Sequence, residues 1–213
     1  MPVWQRIYEE INDPNFVILC AAEDVGGEAV AGPIFDAASP TYIQVVDPDH
    51  IISSAFNFVN VPSAAWVDEE GRIVRIDEGT YSQQHEIGDG DHKISFGTDV
   101  YSPALKDWIA KGPDSVHVQS AETVTGNIRQ HTPEQLSADA AFRLGNLFRE
   151  HGYSEKAEHY WQKARELNPD SVNFIRQNLT LTEEGSAGES FMKLMGEYIN
   201  QGKDYYRPLD IES

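Results

Sequence analysis

The stretch Phe58–Arg75, FVNVPSAAWVDEEGRIVR, decides how the rest of the chain is arranged. Ala64, Ala65, Trp66 and Val67 form one short apolar run, and Ile73, Val74 and Ile76 carry a second. Asp68-Glu69-Glu70-Gly71 between them has turn composition, with Gly71 able to take φ > 0, so the stretch predicts a β-hairpin. Pro62 stands immediately before the first strand. A residue with no N–H to give to a ladder is tolerated there, and its peptide bond is a candidate for the uncommon cis form.

Upstream of the hairpin, helices and strands alternate. Trp4, Ile7, Tyr8 and Ile11 fall at i, i+3, i+4 and i+7, predicting a helix over 3–12 that stops at Asp13-Pro14. Residues 16–22, FVILCAA, are apolar on both faces, as a buried parallel strand is. A helix is expected over 28–38, a strand over 42–46, and a helix over 50–57 capped by Asp49. This alternation predicts an α/β layer with a mixed sheet flanked by helices. From Glu78 to Gly97 the composition turns to Gly, Asp, Ser, Gln and His without a period, which reads as an exposed loop, and Tyr101–Lys111 reads as a closing helix.

The second half is different in kind. Residues 113–133 read as a linker with a short extended piece at 116–118. Thr132 then caps a helix whose first position is Pro133, with apolar periodicity over 136–150 and a break at Gly152-Tyr153-Ser154. Helices over 155–167, from Asp170 to about Leu181, and over 187–201 follow, before a tail at 202–213. The expected organisation is therefore an α/β domain over 1–112, a linker over 113–133 and an all-α region over 134–201.

Bulk composition narrows the function classes. The chain has 213 residues, 40% of them hydrophobic, enough for a buried core. Acidic residues outnumber basic ones 35 to 16, a formal charge of −19 that repels phosphate backbones and anionic lipid, so nucleic-acid and membrane partners are disfavoured. No apolar run approaches the roughly 18 residues of a membrane span, and the first twenty residues lack an export pattern. A cytoplasmic protein is the default expectation, and a periplasmic or membrane-anchored one if the true start lies upstream. One cysteine, Cys20, excludes an internal disulfide or a CxxC pair within this sequence.

Two family resemblances follow from these residues. Leu144-Gly145, Phe148, Ala157, Trp161, Ala164 and Pro169 fall at the signature spacing of the tetratricopeptide repeat, and one repeat over roughly 138–171 resembles it well. One repeat cannot bury its own face. Residues 170–201 are expected to cap it, with the first domain or another chain covering the rest. The first 112 residues resemble the thioredoxin-like fold, in particular redoxin domains of the TlpA/ResA and AhpC/TSA type. The likeness rests on the Met1-Pro2 opening, the VILCAAED strand, the strand ending in Asp47, the Asn60-Val61-Pro62 lead-in, and the Trp66-Val67-Asp68 and Gly71-Arg72-Ile73-Val74 hairpin. The resemblance implies that Pro62 is cis and that the Val61 backbone pairs with an extended peptide, a form of strand addition.

The sequence departs from that family where its chemistry lies, because the central strand and WCxxC expected just upstream of Met1 are not in it. Backbone groups left unpaired in a sheet cost roughly 1–3 kcal/mol each when buried. The expectation is therefore that another chain supplies the strand, that rearrangement closes the gap, or, the favoured reading, that Met1 is internal to a longer natural protein.

Other residues carry plainer readings. Cys20, mid-strand, reads as a small buried hydrophobe. His85, Asp89, Asp91 and His92 have ligand chemistry but lack the EF-hand series, and read as a solvated loop. Asn178-Leu179-Thr180 matches a glycosylation pattern and is assigned no role; no metal or other cofactor is expected. The function expected is a redox-inactive, protein-binding or scaffold module using Val61, Pro62 and the repeat helices, with a protein or peptide partner. The alternative is a thiol-disulfide oxidoreductase or peroxide-linked antioxidant whose catalytic segment is missing through a misplaced start. A homo-oligomer in which chains complete each other's sheets is a third expectation.

Overall fold

The computed structural model describes residues 2–81, 85–87, 94–96, 99–169, 171–179, 188–202 and 206–211. The chain is a mixed α/β protein, and its packing divides it into two units, each built from discontinuous segments: Met1–Ile18 with Asn60–Ile128 and Tyr206–Ser213, and Leu19–Val59 with Arg129–Tyr205. The described strands form three separate two-stranded sheets. That corrects the single mixed sheet expected from the alternation, which reports the order of elements and not which strands share hydrogen bonds.

The first unit is organised on the predicted hairpin. Helix α1 is Pro2–Ile11, and the hairpin strands are β3, Ser63–Val67, and β4, Ile73–Glu78, paired antiparallel with Ser63 opposite Glu78 and Trp66 opposite Arg75. In the turn Asp68 Oδ1 accepts from the N–H groups of Glu70 and Arg72, and Gly71 takes φ 78°. The stretch expected as an exposed loop contains strands β5, His85–Ile87, and β6, Ile94–Phe96, paired antiparallel. Three-residue strands are too short for a period-2 pattern to stand out from a Gly- and Asp-rich background.

Helix α4, Tyr101–Lys111, lays Tyr101, Ala104 and Leu105 against Trp66 to form the core, with Trp4, Phe16, Trp108, Leu209 and Ile211 packed around it. Trp66 stacks on Trp108 at 5.1 Å and donates its indole N–H to the Tyr101 hydroxyl at 2.8 Å. Within the stretch read as a linker, a 3₁₀ turn at Gly112–Asp114 and helix α5, Ala121–Asn127, follow α4. Gln119 between them runs along β4, its N–H bonding the Val74 carbonyl and its side chain the Ile76 N–H.

In the second unit, β1, Leu19–Ala22, pairs parallel with β2, Ile43–Val46. Helix α2, Glu28–Ala38, connects them, and α3, Ile51–Phe56, follows. The cap of α3 is not Asp49 but Asp47, whose two carboxylate oxygens accept from the N–H groups of Ile51 and Ile52 at 3.0 and 2.7 Å. Position His50 takes φ 55°, and this left-handed step turns the helix start back toward the end of β2.

Helices α6, Pro133–Glu150, and α7, Ser154–Leu167, form an antiparallel pair, and α8, Val172–Leu179, and α9, Glu189–Asn200, follow. The start of α6 is a full capping box between Thr132 and Gln135. Ala138, Ala141, Phe142, Ala157, Trp161, Ala164 and Phe174 make the core with Val25. Gly145 is there because a Cβ at that position would lie 2.4 Å from Trp161 Cδ1.

Candidate functional site

The first candidate site is the mouth of the hairpin. The Val61–Pro62 bond is cis. The Pro62 carbonyl extends the hairpin by accepting from the Thr80 N–H at 3.2 Å. Val61 lies outside the ladder, which begins at Ser63: its N–H bonds the Asn60 side-chain oxygen at 3.1 Å, and its carbonyl accepts from the Tyr206 hydroxyl at 2.7 Å. The segment read as a tail thus supplies part of this site.

Beside it, four consecutive β4 residues, Arg75 to Glu78, are buried. Arg75, 2% exposed, forks onto Asp77 at 2.6 and 3.1 Å and donates to the carbonyls of His117 and Asp210. Its guanidinium also lies 5.4 Å from the Trp66 ring. Arg75 was legible only as a charge inside an apolar run, and its i, i+2 spacing to Asp77, which puts both on one face of a strand, was the available signal.

The second candidate is a buried polar cluster that sequence reading missed. Glu23 follows β1, His50 precedes α3, and Asn173 and Gln177 stand one turn apart on α8. Gln177 donates to the Glu23 carbonyl at 3.0 Å and accepts from the Val25 N–H at 3.1 Å. Glu23 Oε1 accepts from the Ser53 N–H at 3.0 Å. His50 Nδ1 sits 3.6 Å from Glu23 Oε2 and 3.3 Å from Asn173 Nδ2. Glu23 Oε2, His50 Nε2 and Asn173 Oδ1 have no hydrogen-bond partner among the described residues.

The separation of Glu23 and His50 is that of an ion pair, yet both groups are driven neutral. Burial pushes the Glu23 carboxyl up to about 7, and the Asp47 charge adds to this against the Ser53 hydrogen bonds. Burial takes His50 down to about 4, against the pull of Asp47. Removal from water is the largest cause in both, so between about pH 4 and 7 the pair is a carboxylic acid facing a neutral imidazole.

Cys20 lies in β1, half-buried, and burial raises its thiol pKa. Among the described residues no three His, Cys, Asp or Glu side chains come together as metal ligands. Of the HEIGDGDH cluster, His85 is placed only by its backbone in β5, and Asp89, Asp91 and His92 lie outside the described residues. Asn178 is on α8 with its side-chain amide atoms buried. An open groove of about 520 Å³ in the second unit is lined by Asp49, Ile51, Ala140, Arg143, Leu144 and Leu147. No helix among the described residues is long and apolar enough to cross a membrane.

Fold and sites together define a mixed α/β chain with an antiparallel helical pair and a proline-mouthed hairpin. Compared with protein-family models, with curated proteins and with solved structures, the chain gives no match in any of the three.

Proposed function

We propose that this chain is a protein-binding or scaffold module of thioredoxin-like and tetratricopeptide-like build, without thiol-disulfide chemistry of its own. In this reading Val61–Pro62 takes an extended partner segment and the α6–α7 pair offers a second surface. The observation that carries it is the position of Val61: its carbonyl lies outside the β3–β4 ladder and is bonded by a side-chain hydroxyl, not by a strand. An extended chain can accept or donate at such a residue by strand addition.

Two further observations support the reading. The Cys20 thiol is pushed up by burial, which keeps it protonated and poorly nucleophilic at neutral pH. Ile51 and Leu147 in the groove of the second unit are well exposed, at 59% and 47%, which gives a partner apolar surface to cover.

The test is titration of a fluorescein-labelled, carboxymethylated α-lactalbumin, a permanently unfolded polypeptide, followed by anisotropy. Saturable binding is expected, weakened about two- to fivefold by Pro62→Ala, which frees the φ that the proline ring fixes beside Val61, a change worth about 0.4–1 kcal/mol. Absence of binding overturns the peptide site. Insulin reduction faster than that of a Cys20→Ser variant overturns the assignment of no redox chemistry.

A further inference from the structure

The segment that crosses the hairpin in the first unit has two parts of different character. Arg207 to Ile211 is anchored. The Arg207 N–H donates to Glu78 Oε2 and its guanidinium to the Ile76 carbonyl, both at 3.0 Å, and also to the Asn127 carbonyl. Arg75 holds the Asp210 carbonyl at 2.8 Å, and Leu209 and Ile211 pack against the Trp66–Tyr101 core.

Tyr206 is half-buried and held at the fringe. Its hydroxyl donates to the Val61 carbonyl at 2.7 Å and lies 3.1 Å from the Tyr81 hydroxyl, and its ring meets that of Tyr81 edge-on. The ring lies so close over Gly79 that a Cβ there would be 3.0 Å from Tyr206 Cγ, and Gly79 itself takes φ 65°. The backbone is thus shaped to admit this ring.

Strand addition at Val61 needs the carbonyl to accept from a partner N–H. The Tyr206 hydroxyl already fills that direction. We propose that Tyr206 is an intramolecular occupant of the Val61 site, an autoinhibitory contact that an extended polypeptide displaces while Arg207–Ile211 stays anchored. This rests on reading Val61–Pro62 as a peptide site. Displacement exchanges one neutral hydrogen bond for another, so removing the hydroxyl removes the competitor and leaves the acceptor intact.

The test compares the full chain with Tyr206→Phe, which keeps the ring over Gly79, and with Tyr206→Ala, which removes it. Each is titrated with labelled carboxymethylated α-lactalbumin, and unchanged circular dichroism establishes that the fold is kept. Tyr206→Phe is expected to bind about 2- to 10-fold tighter, the worth of one net hydrogen bond, and Tyr206→Ala at least as tightly. Equal affinity in all three overturns the autoinhibitory contact and leaves the peptide site standing. Weaker binding by Tyr206→Phe also overturns it and makes the hydroxyl part of the binding surface. No binding by any of the three overturns the peptide site, and the autoinhibitory contact falls with it.

Discussion

Burial holds Glu23 protonated up to about pH 7 and His50 neutral down to about pH 4, against ordinary values of 4.5 and 6.5. Between pH 4.5 and 6.5 the folded state therefore keeps the Glu23 proton that the unfolded state releases, and lacks the His50 proton that the unfolded state binds. The two contributions have opposite slopes and largely cancel. Single variants expose them. His50→Asn, chosen because Asn tolerates the left-handed φ of 55°, removes the His50 contribution, and its melting temperature relative to wild type is expected to fall as pH rises from about 4 to 6.5. Glu23→Gln removes the Glu23 contribution, and its relative melting temperature is expected to fall as pH drops from about 7 to 4.5. Parallel slopes in the two variants would show that the pair is not neutral. Gly145 makes a simpler case. Alanine there gains about 1 kcal/mol of helix propensity but places its Cβ 2.4 Å from Trp161, and overpacking costs about 1–3 kcal/mol. Gly145→Ala is therefore expected to lower stability in urea denaturation; a gain would mean that the indole shifts freely. The glycine and the tryptophan were both legible as a spaced motif. Glu23 and His50 were not, because no local pattern distinguishes a buried acid from a solvated one.

Elements with strong end signals were read well. Thr132 and Pro133 start α6 as expected, Lys111 ends α4 ahead of Gly112 at φ 58°, and the hairpin turns at Gly71. These ends are decided by bonds within a few residues. The α3 cap went to Asp47 and not Asp49, since His50 swings through the left-handed region and carries the helix start back toward the end of β2. Strand β4 is the element whose character the composition hid: its Arg75 and Asp77 are buried together as a pair, and Arg75 also donates to the His117 and Asp210 carbonyls. Arg75→Met would leave Asp77 buried without its cation, a loss of about 3–5 kcal/mol. The expected outcome is a large shift in the urea midpoint monitored by tryptophan fluorescence. A shift below about 1 kcal/mol would mean that water reaches Asp77 and screens it.

Each compact unit draws on segments far apart in sequence. The first needs Leu209 and Ile211 as well as Trp66 and Tyr101, and the second joins Val25 to Phe142, Trp161 and Phe174. A fragment of residues 1–133 therefore lacks part of one core and most of the other, and is expected to show no cooperative thermal transition by calorimetry. A sharp transition with near-ultraviolet dichroism intact would argue that the first 133 residues fold as the α/β domain and linker read from sequence order. Local pattern was enough to establish the helices other than α5, the hairpin, the spacing that pairs α6 with α7, and the acidic charge of −19, because periodicity, caps and turn residues act over a few positions. Which strands pair, the anchoring of Arg207–Ile211 on the hairpin, the neutral Glu23–His50 pair and the Tyr206 contact on Val61 were decided only in the folded chain. Those are matters of burial and of long-range hydrogen bonding, and neither leaves a spacing in the sequence.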